Sequence, residues 1–311
     1  MKGLGVSPGI GIGKAFVIEK KFMDISKTYV SDAEKEIERF RNAVELGKDQ
    51  LNEIYLKTLN EIGEKEAQIF KSHEMMLEDE AFISEVESKI LDEKINAEYS
   101  LKEVSDYYIK MFDKIEDEYL RERGEDIKDV MNRVINILSG VKTADYSMLD
   151  SNSIIVAKDL TPSDTAQLEK GKVAAMITEM GGKTSHAAII ARIMGIPTVV
   201  GLENITQKIK NNDTVICDGK TGKVLINPNE KQLSYYIQKK DRLDEINNEL
   251  KKQIGLPTIS RDGFRVNLSA NIGTPHDVDM VLENDAEGIG LFSGEVIFMN
   301  RQSQPSEVAQ F

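Results

Sequence analysis

Apolar positions divide the chain into segments with different periods. Between residues 31 and 140 they recur every three or four residues, the repeat of a helix that buries one face. One stripe runs Ile37, Phe40, Val44, Leu51, Ile54, Ile62, Ile69, and a second Ile83, Val86, Ile90. A third runs Leu101, Val104, Tyr108, Met111, Ile115, Tyr119, and a fourth Ile127, Val130, Met131, Val134, Leu138. The stretch has no Pro and only four Gly. Ser31 followed by Glu34 reads as a capping box opening the first helix. Helices with one stripe each bury it on one another, which predicts an all-α bundle.

The flanks follow a strand rule. Residues 3–18 are Gly-rich and β-branched around a turn at Ser7-Pro8-Gly9. Short apolar runs between polar turns predict strands at 154–156, 173–177, 198–200, 214–216 and 224–226. A helix is predicted at 162–169, and a clearer one from Ser185 to Met194, stopped by Gly195 and Pro197. This is an α/β unit, whose first strand is expected to pair with strands more than a hundred residues later. Residues 31–140 are then an insertion in it. A polar, Lys-rich stretch over 229–254 reads as a linker helix ending at Gly255 and Pro257. Beyond it a strand over 264–270, a helix near 276–283 and a strand over 288–291 open a further β-α-β domain. A (β/α)₈ barrel needs many more residues than remain. The expected organisation is therefore a discontinuous α/β domain (1–30 and 141–228), a helical insertion (31–140), a linker helix (229–256) and an incomplete last domain (257–311).

Length and charge sharpen this. A chain of 311 residues suits about two domains. The net charge of −13 argues against nucleic acid as a partner. Its distribution says more: residues 31–140 hold 29 acidic and 16 basic residues, whereas the remainder holds 24 of each. A one-sign field on one module either steers an oppositely charged partner or is a solvated set of helices. No run of eighteen apolar residues offers a membrane span, and the N-terminal Met1-Lys2-Gly3-Leu4-Gly5 lacks the features of a secretion signal. The single Cys217 excludes an internal disulfide, and a cytoplasmic location is expected.

Of three histidines, His186 stands out. It follows Gly181-Gly182-Lys183-Thr184-Ser185, a glycine turn leading into a helix. Such a helix start offers unpaired N–H groups and a positive dipole end. An imidazole there can attack phosphorus, with the same N–H groups holding the phosphoryl group. Taken alone, the string fits an unreactive capping histidine better. His73 and His276 lie in other segments, so no zinc-type ligand cluster is evident. Gly9-Ile10-Gly11-Ile12-Gly13-Lys14 lacks P-loop spacing. Cys217 reads as a buried thiol. In the insertion, Met75, Met76 and Phe82 beside Glu78, Asp79 and Glu80 read as an apolar patch with a negative rim suited to a small basic partner. A helix–helix turn with core methionines fits equally well.

Together these strings resemble enzyme I of the bacterial phosphoenolpyruvate:sugar phosphotransferase system. The resemblance rests on Gly3–Gly9, on Asp159–Leu168 (DLTPSDTAQL), on Gly181–Gly201 (GGKTSHAAIIARIMGIPTVVG), on Asp218–Gly222 and on Asn271–Pro275, in family order. The acidic insertion also matches, whereas the related mobile domains of dikinase-type enzymes lack it. The resemblance implies an α/β phosphohistidine (swivelling) domain with an inserted all-α bundle, followed by a linker helix and the start of a (β/α)₈ barrel. It implies phosphoryl transfer from phosphoenolpyruvate through His186 to HPr, a small histidine phosphocarrier protein. Gly181, Gly182 and Lys183 are implied to belong to that site, and the Thr165 hydroxyl to orient the imidazole. Met75, Met76, Asp79, Glu80, Phe82 and Arg123 are implied to bind HPr. Mg²⁺ is implied for the full enzyme, with ligands outside this chain, as is a homodimer formed through a complete barrel. The chain alone is then expected to exchange phosphoryl groups only with HPr. Ser293 stands where the resemblance implies a phosphate-binding Arg, a change from a bidentate cation to a short neutral group. A non-catalytic HPr-binding protein is the alternative reading.

Overall fold

Nine residues from Ile10 alternate so that Ala15 and Val17 point to one side and Phe16 and Ile18 to the other, the two-residue period of a strand. In the computed structural model they form β2 (Ile10–Ile18), following β1 (Leu4–Ser7) across the Ser7-Pro8-Gly9 turn. The structure describes residues 1–18, 25–114, 118–141, 146, 149–169, 171–273 and 277–292, without the side chains of 65, 113 and 118–123. It divides into two units, Met1–Gln238 and Lys239–Phe311.

In the first unit, β3 (Ser153–Ala157), β4 (Val173–Thr178), β5 (Thr198–Val200), β6 (Thr214–Asp218) and β7 (Lys223–Ile226) complete a seven-stranded sheet. Its order is β1-β5-β4-β3-β2-β6-β7. Strands β2, β3, β4 and β5 run parallel, and β1, β6 and β7 join antiparallel at the edges. The N-terminal strands thus pair with partners far along the chain: Phe16 lies opposite Ile155, and Leu4 opposite Val200. Central β3 is buried on both faces, as parallel strands usually are. Ile154 and Val156 enter one core with Val199, Val215 and Cys217. Ile155 and Ala157 enter the other, with Met176, Ala187 and Ile190. The helices α6 (Pro162–Thr165), α7 (His186–Met194) and α8 (Ile205–Lys208) join these strands. The predicted helix over 162–169 is a single turn. A Thr161/Asp164 capping box opens it, the chain continues in tighter turns in which Gln167 and Leu168 donate to Asp164 O and Thr165 O, and Ala166 passes into the bundle core.

Between β2 and β3 lie α1 (Ala33–Glu61), α2 (Glu64–Leu77), α3 (Glu80–Glu93), α4 (Ala97–Asp113) and α5 (Glu118–Leu138). The first stripe, read as continuous, is broken after Ile62. Gly63 takes φ 141°, open to a residue without Cβ, and α2 folds back on α1. The first cap is Asp32 rather than Ser31: its carboxylate accepts from the Lys35 N–H at 3.2 Å. Phe40, Leu51, Phe70, Leu77, Val86, Ile90, Leu101, Val130 and Val134 form the bundle core. Arg39 of α1 ties three helices, donating two bonds to Glu98 of α4 at 2.9 and 2.8 Å and one to the Leu138 carbonyl of α5 at 3.0 Å.

Helix α9 (Glu230–Lys251) crosses the boundary between the units. The second unit contains parallel strands β8 (Ser269–Ile272) and β9 (Gly288–Phe292), with α10 (Val278–Glu283) between them. The strand expected over 264–270 begins later, and Arg265 instead makes an isolated bridge with Ile259. Val266, Leu268, Ile289 and Leu291 are exposed. Ser293, His276 and the end of the Asn271–Pro275 string lie outside the described residues. Among the described residues no helix is long and apolar enough to cross a membrane.

Candidate active site

Helices α6 and α7 start at the C-terminal ends of adjacent parallel strands, β3 and β4, where open α/β sheets place ligands. The loop into α7 depends on Gly181, at φ 101°, where a Cβ would lie 3.0 Å from the Ser185 hydroxyl oxygen. That hydroxyl donates backward to the Gly182 carbonyl at 2.9 Å and so does not cap the helix. A Cβ on Gly182 would meet nothing within 4 Å. The Lys183 side chain is exposed, and its carbonyl accepts from Arg192 at 3.0 Å, fastening the loop to the last turn of α7. Ile189 is the first residue whose N–H reaches back along the helix, to Ser185 O at 3.0 Å. The N–H groups of His186, Ala187 and Ala188 precede it and have no acceptor within the helix.

His186 is the first residue of α7 and is half-buried. Burial lowers its pKa to about 4, against the pull of Asp126 and Asp129 on α5, while His73 of α2 adds to the depression. The imidazole is therefore neutral at physiological pH, the state with a free nitrogen lone pair.

The elements around it are held by a polar network. Asp129 accepts from the Ser163 hydroxyl at 2.7 Å, joining the bundle to α6. Asp164 of α6 accepts from the Tyr146 hydroxyl at 2.9 Å and from the Thr161 N–H at 2.9 Å. Burial and Asp164 together push the Tyr146 pKa up. The Thr165 hydroxyl, 1% exposed, donates to carbonyls of its own turn, Pro162 O at 2.9 Å and Thr161 O at 3.2 Å. Among the described residues no hydrogen bond joins it to His186, so the expected orienting contact is not made here. Both carbonyls also accept backbone N–H groups, Thr161 O from Asp164 and Thr165 and Pro162 O from Ala166, so the hydroxyl adds a bond to a turn that is already closed.

The acidic patch is also rearranged. Met75, at the end of α2, is 68% exposed, but Met76 is half-buried and Phe82 only 7% exposed. Phe82 aligns with Val86 and Ile90 on the inner face of α3, so the ring belongs to the bundle core rather than to a surface patch. Asp79 is the N-cap of α3, accepting from Ala81 N at 2.9 Å and Phe82 N at 3.3 Å. Glu80 is exposed beside it. Arg123 lies on α5, and its side chain is outside the described residues.

Sequence reasoning missed the groups that face His186: His73, Asp126 and Asp129. A signal existed for one. His73 stands three residues after Phe70 and four before Leu77, both buried, which places it on the inner face of α2. Among the described residues no three His, Cys, Asp or Glu side chains group as metal ligands.

Comparison with known proteins follows the same division of the chain. Three family models match: "PEP-utilising enzyme, N-terminal" over residues 2–123, "PEP-utilising enzyme, mobile domain" over 149–222 and "PEP-utilising enzyme, PEP-binding domain" over 247–311. A phosphoenolpyruvate-protein phosphotransferase of Bacillus sp. (strain S) is 43% identical over 99% of this chain and 54% of its own length. That of Bacillus subtilis (strain 168) is 42% identical over 100% of this chain and 55% of its own length. The chain thus spans about half the length of these curated relatives. An NMR solution structure of Enzyme I (nEIt) superposes with a TM-score of 0.69 at 41% identity, covering 78% of this chain and 99% of the other. The N-terminal domain of Enzyme 1 - Nitrogen shares the fold, with a TM-score of 0.54 at 24% identity over 76% of this chain and 98% of the other.

Proposed function

The chain belongs to the enzyme I family of phosphoenolpyruvate-protein phosphotransferases, and on that premise we propose that His186 carries the phosphoryl group in transit to HPr. The observation that carries this reading is a neutral imidazole on the first residue of α7, beside N–H groups with no helical acceptor. Transfer breaks the bond from phosphorus to the donor and forms one to the unprotonated ring nitrogen of His186. The donor's leaving atom keeps the bonding pair. Backbone N–H groups at the helix start stabilise the phosphoryl charge, and Gly181 lets the loop pass close by. Lys183, on the same loop, supplies a solvent-facing cation for the approaching group.

HPr is the partner proposed for this half of the protein, docking on the acidic bundle around Met75, Asp79 and Glu80. Phosphoenolpyruvate, Mg²⁺ and dimerisation belong, on this reading, to the remainder of the relatives' length. The reaction runs in both directions, so labelled phospho-HPr should transfer an acid-labile phosphoryl group to this chain. His186→Ala should abolish the label while the α/β fold, followed by circular dichroism, is retained. Undiminished labelling of that variant would move the site elsewhere. Binding without any labelling of the unaltered chain would favour the non-catalytic alternative.

A further inference from the structure

One exposed side chain ties down the loop before His186. Arg192 stands in the last turn of α7, and its side chain runs back along the helix toward the N-terminus, the direction in which helical side chains lean. Its Nη1 donates to the Lys183 carbonyl at 3.0 Å and to the Val6 carbonyl at 3.4 Å. A single guanidinium therefore joins the helix, the loop ahead of it and the end of β1.

Both acceptors are carbonyls that regular structure leaves over. The pairing of β1 with β5 passes from Gly5 opposite Val199 to Ser7 opposite Thr198, so the register skips Val6. A bulge of this kind frees the backbone groups of one residue, and bulges are over-represented beside active sites. Lys183 lies between β4 and α7, where no ladder or helix claims its carbonyl. Among the described residues, the bond from Arg192 is the only hydrogen bond that joins residues 181–184 to a group beyond Ser185. The other bonds there are local, from the Ser185 N–H at 3.3 Å and the Ser185 hydroxyl at 2.9 Å to Gly182 O. The far side of the anchor is itself fixed. Val6 is buried with Ala188 and Val200, and the Ser7 hydroxyl donates to the Ala191 carbonyl at 3.3 Å.

We propose that Arg192 is a positioning residue for phosphoryl transfer: by holding the Lys183 carbonyl against the bulge at Val6, it fixes the loop that leads into His186 and its free N–H groups. The inference rests on the reading of His186 as the phosphoryl carrier. Arg192 takes no part in bond making. The phosphorus–nitrogen bond to the HPr imidazole breaks as the bond to His186 forms, the bonding pair stays on the HPr nitrogen, and no proton passes through the guanidinium. Phosphoryl transfer depends mainly on positioning and charge stabilisation, and a misplacement of about 1 Å costs on the order of a hundredfold. A cation that only complements the C-terminal end of the helix dipole would act on stability alone.

The test is single-turnover transfer from labelled phospho-HPr to the full 311-residue chain, followed by rapid quench over a range of phospho-HPr concentrations. Arg192→Gln should lower the maximal rate at least about tenfold, while the concentration giving half the maximal rate changes by less than about twofold. Arg192→Lys keeps a cation able to reach one carbonyl and should recover part of the rate. In ¹⁵N relaxation, the amides of residues 181–185 should lose order in Arg192→Gln while those of β3 and β4 keep theirs. A maximal rate within about twofold of the unaltered chain would overturn the proposal and leave His186 as the carrier. A loss that lies in the half-saturating concentration would overturn it too, by placing Arg192 in HPr binding. Loss of the fold in both variants, followed by circular dichroism, would make Arg192 a stabilising residue only and overturn it likewise. An unaltered chain that takes no label would overturn both this proposal and the reading of His186.

Discussion

At the level of single side chains, His186 gives the clearest pH signature. Its proton affinity in the folded chain lies near pKa 4, below the roughly 6.5 of a free imidazole, because burial disfavours the charged ring. The unfolded chain therefore binds a proton, on falling through about pH 6.5, that the folded chain refuses until about pH 4. Stability present above the higher value is lost across that window. Urea midpoints should fall from about pH 7.5 to about pH 5, and His186→Ala should lose part of that fall. An unchanged slope in the variant would mean that burial does not hold the ring neutral. Asp79 separates two roles in the same way. As N-cap of α3, its replacement by Ala should cost about 1 kcal/mol, whereas Asn keeps the cap and removes the charge. If the carboxylate serves HPr binding, Asp79→Asn should weaken binding, measured by calorimetry, with the unfolding midpoint nearly unmoved.

At the level of the helix, the turn between α2 and α3 sorts residues that looked alike in sequence. Phe82 faces Val86 and Ile90, so Phe82→Ala should cost about 3–5 kcal/mol by leaving a cavity. Met75 is mostly exposed, so Met75→Ala should change stability by less than about 0.5 kcal/mol. Binding of HPr should respond in the opposite order, several-fold for Met75→Ala and little for Phe82→Ala under conditions where that variant is folded. Chemical denaturation and titration calorimetry on the same samples decide it. Equal effects of both variants on stability would contradict the packing of α3.

For the first unit as a body, electrostatics and connectivity meet. The sheet is built from both ends of the unit, and the bundle leaves it between β2 and β3, carrying the entire charge imbalance. Ser163–Asp129 fastens that bundle to α6, next to α7, which begins at His186. A negative field on the helical half should speed the approach of a basic carrier and do so less as salt shortens the Debye length from about 10 Å at 0.1 M to about 3 Å at 1 M. The association rate, followed by stopped flow, should fall steeply over that range while dissociation changes less. A rate indifferent to salt would leave the charge as simple solvation.

Periodicity determined the strands of the sheet and the helical nature of residues 33–138, and the glycine turn before Ser185 with the stop at Gly195 and Pro197 marked the helix over 185–194, because each depends on backbone conformation and on one buried face read within a few residues. The resemblance carried by GGKTSHAAIIARIMGIPTVVG pointed to the histidine as a phosphoryl carrier. Tertiary structure alone decided the rest. The break at Gly63 needs a positive φ that the stripe from Ile37 to Ile69 conceals. The inward turn of Phe82 is a matter of which face of α3 meets the bundle, and Thr165 gives its proton to carbonyls of its own turn rather than to the imidazole. The grouping of His73, Asp126 and Asp129 around His186 joins positions 57 to 113 residues apart. No local spacing records such a meeting, since it follows from the packing of the bundle against the sheet rather than from the period of either.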